Sequence, residues 1–523
     1  MTLTLPFPDR ASVTGKLTPP AERAEIVVVG AGAAGCAAAI EAARAGASVM
    51  LIDENPVAPG LIGMDVPLQY GGRAGAAVQN PERLVEQILA TSPALAEAFE
   101  AGVDVRLSTS VWGAWANGSG ICGFPGPVVG VADETRSWLV GFGRLIVATG
   151  ARDLNFTFAG SDQPGVMGAQ AFHALVARYD AFEGKRIVIL GSGALAAQTA
   201  ALAAAHGITV AAIVEARATV QSPALEETAA QLLVGHVPLT AHAGVEGVAG
   251  LTVCDIADPS LREEIACDTI VIAVGAVPVI ELFDVLGAAR IMDPVRGGHI
   301  PALGDHGGTS LPSVWAAGDC AGLGGDPEAE GVAAARAALA SLARTAEPAA
   351  TTLKPAGADA LAYQLDWARA LLDTGGREVM ACLCEEVTRG ELLDVQPPRY
   401  LGWRSNQMAQ RDLKTLAADG PVDQDQIKRL TRACMGPCQA RRCREQVALT
   451  MAIGTGAPPE TVPLAGYRAP VRPLPLAVLA DHDEPAEASR DWNVWFGIIT
   501  QWIGYEDIGT DAEKEQMNAG MPY

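Results

Sequence analysis

Five cysteines, Cys382, Cys384, Cys434, Cys438 and Cys443, fall within 62 residues of a 523-residue chain that holds ten in all. A C-x-C pair and a C-x4-C pair can bring four thiolates to one centre if the helices read over TRGELLD and QDQIKRL carry the two loops together. Four sulfurs suit zinc or a 2Fe-2S cluster, and the spacing alone leaves both open. In a reducing compartment such clustering speaks for ligation rather than for disulfides. Cys36, Cys122, Cys254, Cys267 and Cys320 stand isolated and read as small buried apolar residues. No C-x-x-C dithiol occurs anywhere, which disfavours flavin-to-disulfide transfer.

The second chemistry is dinucleotide binding. Gly30-x-Gly32-x-x-Gly35 follows the apolar run IVVV and precedes the Ala-rich stretch CAAAIEAARAG, and Asp53 ends the next run, 23 residues after Gly30. In such a βαβ unit the first glycine makes the turn and the second admits a pyrophosphate to backbone N–H groups. The third allows close helix packing, and the acid accepts from ribose hydroxyls. The pattern recurs as Gly191-x-Gly193-x-x-Ala196, with Glu215 standing 24 residues after Gly191. A carboxylate there favours NAD over NADP, while a duplicated domain can also persist as scaffold or hold another adenine nucleotide. Two further apolar runs end in small-residue turns, at Thr149-Gly150 and at Gly318-Asp319.

These segments resemble the two-dinucleotide-domain flavoproteins, to which thioredoxin reductase and glutathione reductase belong. The resemblance implies FAD in the first site, with Asp319 on the ribityl chain and a helix beginning near Gly331 that points its positive end at the flavin. The phrases CxCEEVT and TRxxMGxCQxRxC resemble the BFD-like 2Fe-2S domain in the long form fused behind a flavoprotein. That order of modules is similar to the alpha subunits of opine (octopine and nopaline) oxidases, hydrogen cyanide synthase and proline or hydroxyproline dehydrogenases, over roughly residues 24 to 450. It implies Cys382, Cys384, Cys438 and Cys443 as cluster ligands, with Cys434 as the alternative in the second loop. The chain departs from its relatives at Cys434, in the added stretch QPPRYLGWRSNQMAQRDLK, and in PGLIGMDVPLQYGGR, where they have a Gly-Gly-Gln turn.

Composition bounds the rest. Apolar residues make up 49% and charged residues 19%, enough for several packed cores. Sixty acids against 37 Lys and Arg leave a charge of -23, which disfavours nucleic acid and anionic membrane surfaces as partners. No apolar run is long enough for a transmembrane segment and no secretory signal is read, so a cytoplasmic protein is expected. The expected fold class is α/β: two Rossmann-like domains, the second inserted in the first, plus a small helical BFD-like domain and a C-terminal extension. The boundaries are 1–23 lead, 24–155 and 285–345 FAD domain, 156–284 second dinucleotide domain, 346–376 linker and helix, 377–450 iron–sulfur domain and 451–523 extension.

In that extension the Pro-rich, acidic stretches read as extended and solvated, and the aromatic block Trp492, Trp495, Phe496, Trp502 and Tyr505 as a docking surface or a fold-back. His299 and His306 read as loop residues, and no acid–base constellation appears. The expected function is therefore an electron-relaying FAD and 2Fe-2S subunit of a heteromeric amine or imino-acid dehydrogenase, with substrate chemistry on a companion flavoprotein subunit. The rivals are a stand-alone NAD(P)H-dependent reductase and a scaffold built on structural zinc.

Overall fold

The apolar runs beside the glycine turns become central strands of two sheets, because strands buried on both faces pair in parallel under helices. The computed structural model describes residues 19–57, 76–116, 124, 126–344, 360–402, 411–480, 509–512 and 514. In the first sheet Glu22–Val29 lies between Val49–Ile52 and Ser137–Val147, parallel to both, with Val27 opposite Met50 and Leu145. Asp104–Arg106 and Val314–Ala316 add further parallel pairings, and Val128–Ala132 with Ser110–Trp115 continue the sheet as an antiparallel ribbon. The second sheet is all parallel, in the order Gln231–Val234, Thr209–Glu215, Arg186–Leu190, Thr269–Ile272, Val166–Gly168. The chain leaves the first sheet at Val147, builds the second, and returns at Val314; the two crossings, Ala151–Asp153 and Ala276–Pro278, pair antiparallel.

Alternation along the central strand decides what each face covers. Ile26 and Val28 join a core that runs on through Phe172 and Tyr179 to one face of the second sheet. Val27 and Val29 face the other way, into a core shared with Ala381, Val387, Leu392, Val447 and Met451 of the cysteine-rich region. The remaining face of the second sheet packs against Tyr363, Trp367 and Leu371 of helix Ala360–Gly375. The cysteine-rich region thus rests on the back of the first sheet, and helix Ala360–Gly375 on the second.

Three expectations change. The helix read near Gly331 spans Pro327–Ser341, because proline suits the first helical position and the Asp326 carboxylate accepts from the Ala329 N–H at 3.1 Å. Gly331 instead allows this helix to cross Ala33–Arg44: a Cβ there would stand 2.1 Å from the Ala34 carbonyl oxygen. The boundary at 450 falls inside helix Arg444–Thr455. And the Pro-rich stretch that follows is not solvated throughout: Val462, Leu464, Tyr467 and Val471 are buried, since its apolar residues cover that helix and the Val471 N–H donates to the Trp112 carbonyl at 2.7 Å. The aromatic block at 492–505 and the PGLIGMDVPLQYGGR loop from Gly60 onward lie outside the described residues, as does part of the added stretch.

Gly331→Ala is expected to lower stability by about 1–3 kcal/mol, the usual cost of forcing atoms into a filled contact. The measurement is the urea midpoint at constant slope; an unchanged midpoint would show that the two helices can separate freely.

Candidate functional site

A cleft of about 750 Å³ opens at the carboxyl ends of the first sheet's strands, lined by Gly30, Gly32, Asp53, Thr149, Gly150 and Asp319 among others. That volume lies in the upper part of the range, roughly 300–1000 Å³, of cofactor sites. Gly30 has φ +105° and a Cβ on it would strike the Ala148 carbonyl oxygen at 2.2 Å; Gly35 is pressed against Gly30 in the same way. Above Gly32 nothing lies within 4 Å, and helix Ala33–Arg44 begins there with no side-chain cap. Its first N–H groups and dipole therefore face open space, which fits the pyrophosphate of FAD. Asp53 sits at the cleft floor, its carboxylate accepting from the Ala31 N–H at 2.5 Å and the Asn55 N–H at 2.7 Å.

The remaining residues divide between lining and framing. Thr149 donates its hydroxyl to the Val279 carbonyl at 2.9 Å and so ties the two crossings together. Gly318, with φ +73°, donates its N–H to Glu330 at 2.9 Å and turns the chain so that Asp319 reaches the cleft, where burial pushes its carboxyl up. Gly35 and Gly331 pack helices and do not line the cleft. His299 lies away from it and burial pushes its imidazole down to about 4, so it is neutral at pH 7; His306 occupies a short turn.

The sequence reading missed a set of charges that joins the cleft to the cysteine loops. Arg472, in the back-folded segment, lines the cleft and pairs with Glu54 at 2.9 Å across 418 positions of chain. Beside it the Arg441 guanidinium donates to the Val471 carbonyl and the Cys438 carbonyl, both at 2.7 Å. Arg152 is buried between Glu281, which also lines the cleft, and Glu445, just past Cys443. For Glu54 the adjacent Asp53 was a signal; for Arg472 the sequence offers none, because the contact depends on a fold-back.

The structure brings the predicted thiols together. Cys382 and Cys384 are 3.9 Å apart, Cys384 and Cys438 3.6 Å, and Cys443 and Cys382 3.7 Å. Cys443 also bonds to Cys438, closing a ring of four, and Cys434 touches Cys443 at 3.6 Å. Within the ring either sulfur of the Cys382–Cys384 and Cys384–Cys438 contacts can donate, and the contacts push Cys382 and Cys438 down and Cys384 and Cys443 up. Among the described residues no three metal-binding side chains stand as a ready-made site for a single ion; the sulfurs touch one another instead. Four sulfurs in contact form a soft donor set of the kind that a zinc ion or a 2Fe-2S cluster takes.

The loops are shaped for that contact. Gly436 is required because a Cβ there would lie 2.4 Å from the Cys384 sulfur. Thr388 and Glu391 form a capping box that starts helix Arg389–Leu393 just after the first loop. Cys384 alone of the ring is exposed. The isolated Cys36, Cys267 and Cys320 are buried, which pushes their thiols up to about 12, 12 and 11, so they stay protonated and inert; Cys254 is buried too, and Cys122 lies outside the described residues.

The second turn matches the first in backbone but not in surroundings. Gly191 has φ +102°, Ala196 is buried on the sheet side of helix Ala194–Ala205, and a Cβ on Gly193 would meet nothing within 4 Å. The Glu215 carboxylate is occupied, however. It accepts from the Ser192 hydroxyl at 2.5 Å, the Tyr363 hydroxyl at 2.6 Å and the Arg217 N–H at 2.8 Å.

Arg472→Met is expected to cost about 1–3 kcal/mol by leaving the Glu54 carboxylate unsatisfied, and Glu54→Gln in the same chain is expected to restore part of it. A double-mutant cycle on urea midpoints reads the coupling; additive losses would dissolve the pair.

Residues 24–343 match the pyridine nucleotide-disulphide oxidoreductase family, and residues 405–482 match the sarcosine oxidase A3 domain. An opine oxidase subunit of Agrobacterium tumefaciens (strain Ach5) is 27% identical over 89% of this chain and 93% of its own length. The HcnB subunit of hydrogen cyanide synthase from Pseudomonas aeruginosa is 27% identical over 86% of this chain and 97% of its own. The alpha subunit of sarcosine oxidase from Corynebacterium sp. (strain P-1) is 31% identical over 49% of this chain, but only 27% of its own length. L-proline dehydrogenase from P. horikoshii superposes with a TM-score of 0.58 at 19% identity, over 88% of this chain and 80% of that one, and so shares the fold. With the first sheet, its glycine cleft and a match over most of its length, this chain belongs to the pyridine nucleotide-disulphide oxidoreductase family and is an FAD-dependent oxidoreductase.

Proposed function

We propose that the chain is the FAD and 2Fe-2S containing subunit of a heteromeric amine or imino-acid dehydrogenase, relaying electrons released by substrate oxidation on a companion flavoprotein subunit. The observation that carries this reading is the ring of four cysteines packed behind the sheet whose strand ends form the FAD cleft. When bound, FAD exchanges electrons in pairs and a 2Fe-2S cluster exchanges them singly, so a protein holding both can link the two kinds of step. Relatives named as subunits of opine oxidase, sarcosine oxidase and hydrogen cyanide synthase support a heteromeric assembly. Substrates with a C–H beside nitrogen, such as opines, proline, hydroxyproline or sarcosine, are the class to test.

The chain's own residues bind and tune. Gly30, Gly32 and Gly35 shape the cradle for FAD, with Asp53, Thr149, Gly150 and Gly318–Asp319 around the cleft. Cys382, Cys384, Cys438 and Cys443 hold the cluster, with Cys434 outside the ring and its N–H donating to the Cys382 sulfur, as the Arg442 N–H does to Cys438. Such bonds stabilise the more negative form of a sulfur centre. Of the acids lining the cleft, Glu54 pairs with Arg472, Glu281 with Arg152, and Asp53 accepts from backbone N–H groups, while Asp319 stands beside them. Substrate chemistry on a companion protein rests on the relatives being named as subunits. Among those residues no helix is long and apolar enough to cross a membrane.

Protein purified without oxygen is expected to contain iron and acid-labile sulfide in equal amounts, about two of each per chain, and to give a paramagnetic resonance signal after dithionite. Serine at Cys382, Cys384, Cys438 or Cys443 is expected to abolish iron retention, and Cys434→Ser to keep it. Zinc without iron sinks the reading, and loss of iron in Cys434→Ser alone reassigns the second loop. Co-purification of the tagged chain with its native companions, followed by a screen of opines and N-alkyl amino acids, tests the assembly.

A further inference from the structure

The family to which the chain belongs is named for a pyridine nucleotide, and the crevice between Arg186–Leu190 and Thr269–Ile272 is where such a ligand sits in a sheet of this order. Here that crevice is filled from within. Helix Ala360–Gly375 lies across it, with the Trp367 ring 1% exposed and Tyr363 9% exposed. The Ser192 N–H, one of the donors of the second glycine turn, is spent on the Tyr363 oxygen at 3.0 Å. The Tyr363 hydroxyl in turn donates to Glu215, the acid that would take a ribose. Burial, with Glu215 beside it, pushes the Tyr363 phenol up, so it keeps its proton as donor.

The closure is complete around Glu215 and is anchored on both sides. Glu215 is 1% exposed and Ser192 0%, and the Ser192 hydroxyl is further bonded by the Gln221 N–H at 2.9 Å. The Arg217 guanidinium lies over the Tyr363 ring, 5.1 Å from its centroid, and pairs with Asp366 of the same helix at 2.9 Å. Gln364, the neighbour of Tyr363, reaches the other wall, where its amide nitrogen would be 3.4 Å from a Cβ on Gly275. The space above Gly193 is open, but the ribose position beside Glu215 is taken by the Tyr363 hydroxyl.

We propose that helix Ala360–Gly375 has taken over the second dinucleotide site as an internal ligand, so that this chain binds neither NAD(H) nor NADP(H) there and takes no electrons from them. The crevice serves instead as the socket that anchors the helix leading into the cysteine-rich region. Tyr363 mimics the ribose hydroxyls toward Glu215, and its oxygen takes the Ser192 N–H.

The test uses the full FAD-loaded chain without oxygen. NADH or NADPH at about 1 mM, a concentration that would load any site of micromolar affinity, is expected to leave the flavin absorbance unchanged, while dithionite bleaches it. Calorimetry with ADP-ribose is expected to show no saturable binding. Tyr363→Ala, which alters no residue of the FAD cleft, is expected to bind ADP-ribose at least about tenfold better than the parent chain. Bleaching by NADH, saturable binding of ADP-ribose to the parent, or a variant no better than the parent each overturns the proposal. A chain that lacks yellow colour would count against the FAD reading alone, since the gain in ADP-ribose binding of Tyr363→Ala over the parent, both flavin-free, still reads the second site by difference.

Discussion

Arg152 carries a guanidinium into a site 1% exposed, and three distant stretches of chain are fixed by the need to neutralise it. It sits on the strand that leaves the first sheet, Glu281 follows the strand that returns, and Glu445 begins the helix after Cys443. Burial alone would push this group down; the Glu445 and Glu281 carboxylates more than reverse that, so the charge is retained. An unpaired charge in such a place costs several kcal/mol, about 3–5 when one partner is removed. The same arithmetic applies to Arg444, fully buried against Asp284 with its guanidinium 4.0 Å from the Tyr467 ring centroid. Together these contacts hold the cysteine loops to the crossing strands and leave little room for the two to move separately.

The cysteine loops themselves hold strained backbone. Five of the ten non-glycine residues with positive φ among the described residues, Glu386, Arg432, Cys434, Gln439 and Ala440, lie in them. At about 1–3 kcal/mol each, such conformations persist only where the surroundings over-determine them. Here they aim sulfurs at one another, which is unfavourable for bare thiolates and favourable once a cation stands between them. Two strained loops held by buried arginines are thus the expected foundation for a centre whose ligands must not relax.

What was legible in the sequence followed from local rules. The two glycine turns, the acids after them and the strands around them depend on spacings within one βαβ unit, and each pair of cysteines on spacing within one loop, although the two pairs meet across 54 and 61 positions of chain. What was not legible depends on contacts between remote segments. Arg472 reaches Glu54 only because the stretch after helix Arg444–Thr455 turns back, and the Pro-rich composition of that stretch hid the apolar residues that drive it. The start of helix Pro327–Ser341 escapes the sequence for a different reason: glycine suits a helix boundary by type, whereas Gly331 answers to the crossing with Ala34.

The same double meaning of glycine bears on the second turn. Gly191 would be needed with no nucleotide at all, since a Cβ there would stand 2.8 Å from the Ala273 carbonyl oxygen, and its φ of +102° disfavours any side chain. The close approach of strands Arg186–Leu190 and Thr269–Ile272 therefore explains the first glycine of the motif by packing alone. Glu215 is likewise explained by Ser192, Tyr363 and the Arg217 N–H. In the first site Gly30 is explained by packing in the same way, against the Ala148 carbonyl oxygen, but Gly32 faces a cleft of about 750 Å³ and Asp53 accepts, among the described residues, only from Ala31 and Asn55. A glycine turn with its acid thus reports the backbone geometry of a dinucleotide fold, and whether the geometry is used for a cofactor is decided by what the rest of the chain lays over it.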